Sequence, residues 1–304
     1  MTERKTATQG RPARRKARPS KAEPPQVESD LTGAEIKEVE EHGWLPAPFV
    51  YQVVRQEGLR ELSRPASALW WSGLAAGMLI GLSVLVEAIL HLKLPDAPWR
   101  FLVENLGYSV GFVVVILSRH QLFTENTLTA ILPLMADPKR ETLYAVARLW
   151  LLVAGANLAG ALVFAAFWSF GGLVEGETLE AMRAIGREMM TNGWTAMFVK
   201  AIAAGFLMAS LVWLLPSAQG ATLGAIVLVT WVIAAGELTH IVAGGVEALL
   251  LLLAGELSLG GFLWRFGLPV LLGNVVGGSV LFGLIVYAQV KEEVTQGNPL
   301  GHDL

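Results

Sequence analysis

The chain has 304 residues, 53% hydrophobic and 16% charged, with a formal net charge of −3. Its mean hydropathy is +0.51, and soluble domains carry about 25% charged residues, so the composition belongs to the membrane class. No cysteine is present, which excludes disulfides and thiolate-held metals.

Residues 1–30 are rich in Lys, Arg, Pro, Ser and Glu and nearly free of large apolar side chains. They read as a disordered, solvated cytoplasmic tail. The cluster Arg11, Arg14, Arg15, Lys16, Arg18 and Lys21 could touch anionic lipid or nucleic acid, but no nucleic-acid partner is expected. Residues 31–66 differ. Asp30 or Thr32 can cap a helix through Glu35, Ile36, Val39 and Glu40. Past Pro46 and Pro48, the apolar residues Phe49, Val50, Val53, Val54, Leu59 and Leu62 fall near helical spacing beside Gln52, Arg55, Gln56, Glu57 and Arg60. This amphipathic segment suits a membrane surface or the underside of a neighbouring subunit.

Six apolar runs follow, at 70–90, 101–135, 143–170, 194–216, 221–254 and 262–290. About 20 residues cross the hydrocarbon core, so the second and fifth runs are overlong. Both contain polar strings, Arg119-His120-Gln121-Leu122-Phe123-Thr124-Glu125-Asn126 and Glu237-Leu238-Thr239-His240. Backbone leaves its helix at membrane depth only where protein or a wet cavity surrounds it. Each string therefore predicts a helix that stops, loops and resumes. The alternative is a long helix with a buried polar face. Residues 1–66 carry twelve Lys or Arg, and the short loop around Lys139 and Arg140 is basic. With six crossings, this places both termini in the cytoplasm. A transmembrane channel domain is expected over 67–291, with a cytoplasmic C-terminal tail at 292–304.

The two halves resemble each other. Ala75-Ala76-Gly77 opens run one and Ala203-Ala204-Gly205 opens run four; Asn157-Leu158-Ala159-Gly160 in run three matches Asn274-Val275-Val276-Gly277 in run six. Three helices per half imply an inverted repeat, the plan in which broken helices meet near the midplane. Small residues such as Gly155, Gly160, Gly273, Gly277 and Gly278 also serve close helix packing without any function.

Leu122-Phe123-Thr124 in a broken second helix, His240 in a broken fifth and Gly273-Asn274-Val275-Val276-Gly277-Gly278 in the sixth resemble the formate/nitrite transporter family, in particular its YfdC-like branch. The resemblance covers about residues 35–290. It implies an all-α membrane protein, with six transmembrane helices in an aquaporin-like inverted repeat and broken second and fifth helices. It further implies a homopentamer with one pore per protomer, in a bacterial inner membrane. Leu122 and Phe123 would form a cytoplasmic-side constriction, and Thr124 would face His240 between two apolar narrowings. The implied cargo is a small monovalent weak-acid anion of the formate or nitrite type, by channel or proton-linked passage. The chain departs from the family pattern at four places. Thr239 and Gly244 stand where better-known members carry Glu and Asn. Glu125 replaces a small residue, and Ala209 stands where Asn is usual.

His240 can donate a hydrogen bond or pass a proton to an anion; its bland reading is a satisfied buried histidine. Thr124 supplies a hydroxyl or simply back-bonds to its helix. Glu125 would repel anions if ionised at a narrow point. A structural pair, Arg119 with Glu125 or Arg119 with Glu237, is expected to offset it, with His120 a further possible charge partner. Glu87, Lys200 and Glu247 are placed near helix ends or in vestibules, where snorkelling or pairing suffices, and Lys200 could attract anions. Pore residues are thus Leu122, Phe123, Thr124, Glu125, Thr239 and His240. No His-Glu-x-x-His helix, Gly-x-Ser-x-Gly elbow or cofactor loop occurs. No enzyme, cofactor or metal is therefore expected. The alternatives are a cation- or neutral-solute pore of the same fold, with Glu125 altering selectivity, and a non-conducting membrane scaffold.

Overall fold

The structure, a computed structural model, describes residues 45–295. The expectations for the tail at 1–30, the helix around residues 35–40 and the last residues of the C-terminal tail lie outside that range. Among the described residues every regular element is helical.

Helix α1, Ala47–Ser63, starts with Pro48 in its first turn, where the missing N–H is no loss. Pro48, Val50, Tyr51, Val54 and Gly58 are its buried residues, spaced to form one stripe. That stripe packs on the chain's own helices rather than standing free. Among the described residues five stretches are long and apolar enough to cross a bilayer: Ala66–Lys93, Arg100–Leu117, Arg140–Phe170, Trp194–Ala235 and Leu259–Glu293. The first is helix α2, Ala66–Lys93. The second holds α3, Arg100–Glu104, and α4, Ser109–Leu117. Non-helical backbone follows at 118–122, and then α5, Phe123–Thr129, and α6, Ile131–Ala136. Helix α7 is Arg140–Phe170, and the amphipathic α8 is Gly176–Met189.

The 42-residue stretch Trp194–Ala235 would measure about 63 Å as one helix, twice the hydrocarbon core. It is instead α9, Trp194–Ala218, a tight turn at Gln219–Ala221 with φ 24° at Gln219, and α10, Thr222–Ala235. Helices α9 and α10 pack against each other, so the chain doubles back there. Non-helical backbone at 236–242 separates α10 from α11, Ala243–Leu253. The last stretch is one helical rod with wide turns at Phe262–Gly267 and Val276–Gly283.

Two helix pairs frame the core: α2 with α7, and α9 with the last rod. Each pair closes on a glycine. A Cβ on Gly77 would overlap the carbonyl oxygen of Asn157, and one on Gly205 would overlap that of Asn274. The two breaks also begin alike. Arg119 and Glu237 adopt φ of 58° and 49°, a region costly for residues other than glycine. His120 N–H donates to Val115 O at 3.1 Å, and Leu238 N–H to Ile233 O at 2.9 Å. These turns end α4 and α10 and send the chain back into the core.

Candidate functional site

Each break is held by one buried asparagine. Asn157 Oδ1 accepts from Phe123 N–H at 2.9 Å, and its Nδ2 donates to Gln121 O and Gly73 O at 2.8 Å each. Asn274 Oδ1 accepts from Ile241 N–H at 2.9 Å, and its Nδ2 donates to Thr239 O at 3.2 Å and Ala201 O at 2.8 Å. Both side chains are fully buried. An amide is suited to this work because it both donates and accepts, and unpaired backbone at such depth is costly. These are the positions that matched between the halves in sequence. Their motif was visible, but not that each asparagine pins the break of the preceding apolar run.

So pinned, the loops bring Thr124 and His240 together. Thr124 Oγ1 and His240 Nε2 lie 2.8 Å apart, both buried. His240 Nδ1 faces the N–H groups of Val242 and Ala243, each at 3.3 Å. Nδ1 is therefore an acceptor, and the neutral ring carries its proton on Nε2, which donates to Thr124 Oγ1. The threonine hydroxyl proton remains free to be given elsewhere. Phe112 meets the imidazole edge-on at 5.0 Å. Leu122 and Phe123 are buried beside this pair, with Phe123 edge-on to Trp150 at 6.3 Å. Thr239 is also buried, but its hydroxyl donates to Met197 O at 2.8 Å. It fastens the second loop to α9 rather than offering a group to the centre.

The charged residues fall differently from the sequence expectation. Arg119 pairs with neither Glu125 nor Glu237. Its side chain is 83% exposed and bonds Glu57 of α1 at 3.0 Å. Glu237 pairs with Lys200 at 3.2 Å. The reason is geometric: the two strained turns lie at the outer ends of α4 and α10, so their charges emerge at surfaces while the loops run inward. His120 is half-buried on the same turn. Glu125 stands in the first turn of α5, half-buried, and the charges acting on it are Glu57, Arg119 and Glu61. Glu61, on α1 outside the apolar stretches, is held above the usual carboxylate range by burial, against bonds from Arg64.

A cavity of about 180 Å³ reaches His240 and Thr239 from the other side. Its wall includes Glu87, Tyr108 and Glu247. Glu247, read from sequence as a paired or snorkelling residue, is 6% exposed, and no described residue gives its carboxylate a hydrogen bond or ion pair. Sequence reasoning passed over Tyr108 and Phe112, which carried no motif. Among the described residues no cluster of His, Asp or Glu is arranged to hold a metal ion.

The "Formate/nitrite transporter" family profile matches residues 48–288. The chain belongs to the formate/nitrite transporter family. Inner membrane protein YfdC of Escherichia coli (strain K12) is 42% identical over 249 residues, which cover 82% of this chain and 80% of that one. Formate channel BtFdhC of Bacillus thuringiensis is 27% identical over 251 residues, 80% of this chain and 95% of that one. Two solved structures share the fold. An FNT family ion channel has a TM-score of 0.68 at 22% identity, covering 79% of this chain and 98% of its own. A pentameric formate channel with formate bound has a TM-score of 0.63 at 19% identity, covering 74% and 98%. This formate/nitrite transporter family member is thus a multi-pass membrane protein of a transport family, not of an enzyme family.

Proposed function

We propose that the protein is an inner-membrane pore for small monovalent weak-acid anions of the formate/nitrite type, with proton-linked passage. The observation that carries this reading is the buried Thr124–His240 contact at 2.8 Å. It sits between the apolar pair Leu122–Phe123 and the cavity whose wall includes Glu87, Tyr108 and Glu247. Such a contact leaves no room for an anion while closed. A substrate that enters takes the place of the bond, its oxygens accepting from His240 Nε2 and from the Thr124 hydroxyl. Relatives named as formate channels support this cargo over a cation or neutral solute.

In this reading the doubled-back α9–α10 hairpin makes the crossings six, and the matched asparagine clamps relate two inverted halves. Both termini face the cytoplasm, with Arg119, Glu57 and Glu125 on that side and Lys200 and Glu237 on the outer side. Five copies form a homopentamer in lipid, each with its own pore, as the pentameric neighbour suggests. Glu125 acts at the cytoplasmic entrance on the selectivity set by Thr124 and His240. Flux into proteoliposomes of formate, nitrite, potassium and glycerol tests the reading. Formate and nitrite are expected to pass; passage of potassium or glycerol alone would reverse the assignment.

A further inference from the structure

The two halves differ at one matched place. The clamps align Gln121 with Thr239, which sets Asn126 against Gly244 and Thr129 against Glu247. In the first half this patch is a closed network. Asn126 Nδ2 donates to Gln121 Oε1 at 3.0 Å, Thr129 Oγ1 donates to Asn126 Oδ1 at 3.2 Å, and Trp150 Nε1 donates to Asn126 O at 3.0 Å. In the second half Thr239 turns away to Met197, and Gly244 offers no side chain. The Glu247 carboxylate, 6% exposed, has no hydrogen bond or ion pair from any described residue. The space that the first half fills is here the 180 Å³ cavity, whose wall holds both Glu247 and His240.

The charges facing Glu247 across this cavity come from every side. Helix α2 brings Glu87 and His91, the α3–α4 segment brings Glu104 and Tyr108, α8 brings Glu188, and the second break brings Glu237. Two of these carboxylates are compensated. Glu104 has His91 at 3.0 Å and Arg100 at 3.5 Å, and Glu237 has Lys200 at 3.2 Å. Glu87, Glu188 and Glu247 have no ion pair among the described residues. An arriving anion is repelled by such groups when they are ionised and hydrogen-bonded by them when they are protonated.

We infer that Glu247 is the proton donor to the substrate in this cavity, acting on the monovalent oxyanion of a weak acid. The inference rests on the weak-acid reading above. The Oε–H bond of Glu247 breaks, a new O–H bond forms on the substrate oxygen, and Glu247 is left as a carboxylate. The neutral acid moves on to Thr124 and His240. Glu247 takes its next proton from water in the cavity, with Glu87 and Glu188 as acid groups along the way. Each anion taken up thus carries one proton.

Proteoliposomes with an internal pH dye, given formate at external pH 5, 6 and 7, test this on the full-length protein. Wild type is expected to take up formate faster as external pH falls, and to acidify the lumen in step. Glu247→Gln is expected to lose about tenfold of the rate at pH 5 and to flatten the pH profile, while Glu247→Asp, which keeps the acid group, retains the profile. If wild type passes neither formate nor nitrite at any pH, the weak-acid reading falls, and this inference with it. If wild type passes formate and an intact Glu247→Gln oligomer keeps the same rate and pH profile, Glu247 is no proton donor. A variant that loses only potassium flux would also overturn the inference, since Glu247 would then be a cation ligand. If Glu247→Gln does not assemble, the Glu247→Asp profile decides: a flat profile overturns the inference.

Discussion

Asn157 and Asn274, one on α7 and one on the last helical rod, hold opposite loops with the same three bonds. Each accepts a backbone N–H near the far end of the break, Phe123 or Ile241, and each donates to a carbonyl in the loop and to one on a neighbouring helix. Removing either side chain leaves a buried N–H and a buried loop carbonyl without partners. Asn157→Ala and Asn274→Ala should each destabilise the protein by about 2–6 kcal/mol, at roughly 1–3 kcal/mol per orphaned group. Thermal unfolding of the detergent-solubilised protein would measure this. Asn→Asp should be comparably harmful, because the donor is lost and a charge added. Equal melting temperatures for wild type and both alanine variants would show that the loops do not depend on the clamps.

The glycines beneath those clamps make a second prediction. Gly77 and Gly205 lie where a side chain would overlap the backbone of Asn157 and Asn274. Backbone cannot swing aside as a flexible side chain can. Gly77→Val and Gly205→Val should therefore force each helix pair apart and abolish flux, with a loss of folded, monodisperse protein on size-exclusion chromatography. Gly155 has no atom closer than 4.0 Å to an added Cβ, so Gly155→Ala should be tolerated and serves as the control.

Glu125→Gln tests the proposed role of this carboxylate beside Leu122 and Phe123. A free carboxylate about 4 Å from a passing anion costs it about 4 kcal/mol at an effective dielectric of about 20. Arg119 opposes this, but its own partner is Glu57. Formate flux at neutral pH is expected to rise roughly tenfold in the variant, since about 1.4 kcal/mol suffices for that change. Unchanged flux and ion preference in a well-folded oligomer would make Glu125 structural.

A pH-dependent contribution is expected from the ion triad on α8. Arg187 bonds Glu180 at 2.7 Å and Glu256 at 2.6 and 2.9 Å. Those bonds hold both carboxyls below the usual carboxylate range. A depressed carboxyl stabilises the fold above its unfolded pKa of about 4.3, and that contribution fades as pH falls through the lowered folded value. The melting-temperature difference between wild type and Arg187→Ala should thus be present at pH 7 and shrink below about pH 4. A difference that does not change with pH would assign the effect to packing.

Much of this was legible before any coordinates. Run length and internal polar strings marked both interrupted helices, because a bilayer fixes how long an apolar helix can be. The order of Ala/Gly and Asn-x-x-Gly motifs marked the glycines and asparagines that meet at Gly77–Asn157 and Gly205–Asn274. The charge pairing was not legible. Whether Arg119 meets Glu125 or Glu57 depends on where α1 lies against the first break, and no periodicity encodes that distance. The same holds for Glu247. One carboxylate in an apolar helix reads as a paired or end-lying group, and only the emptiness opposite the filled patch of Gln121, Asn126 and Thr129 sets it apart. Thr239 read as a pore hydroxyl from its place beside His240; it lines the cavity, and its hydroxyl donates to Met197 O, a bond no spacing encodes.

The contact between Thr124 and His240 is the centre of the transport reading, and formate flux through wild type and Thr124→Val in proteoliposomes tests it most directly. Valine keeps the shape and removes only the hydroxyl, leaving Asn157 and Asn274 to hold both loops. Wild type is expected to pass formate, and the variant to pass it about tenfold more slowly, as the loss of about 1.4 kcal/mol from one hydrogen bond requires. Wild type without formate or nitrite flux, or an intact Thr124→Val oligomer with the wild-type rate, would contradict it.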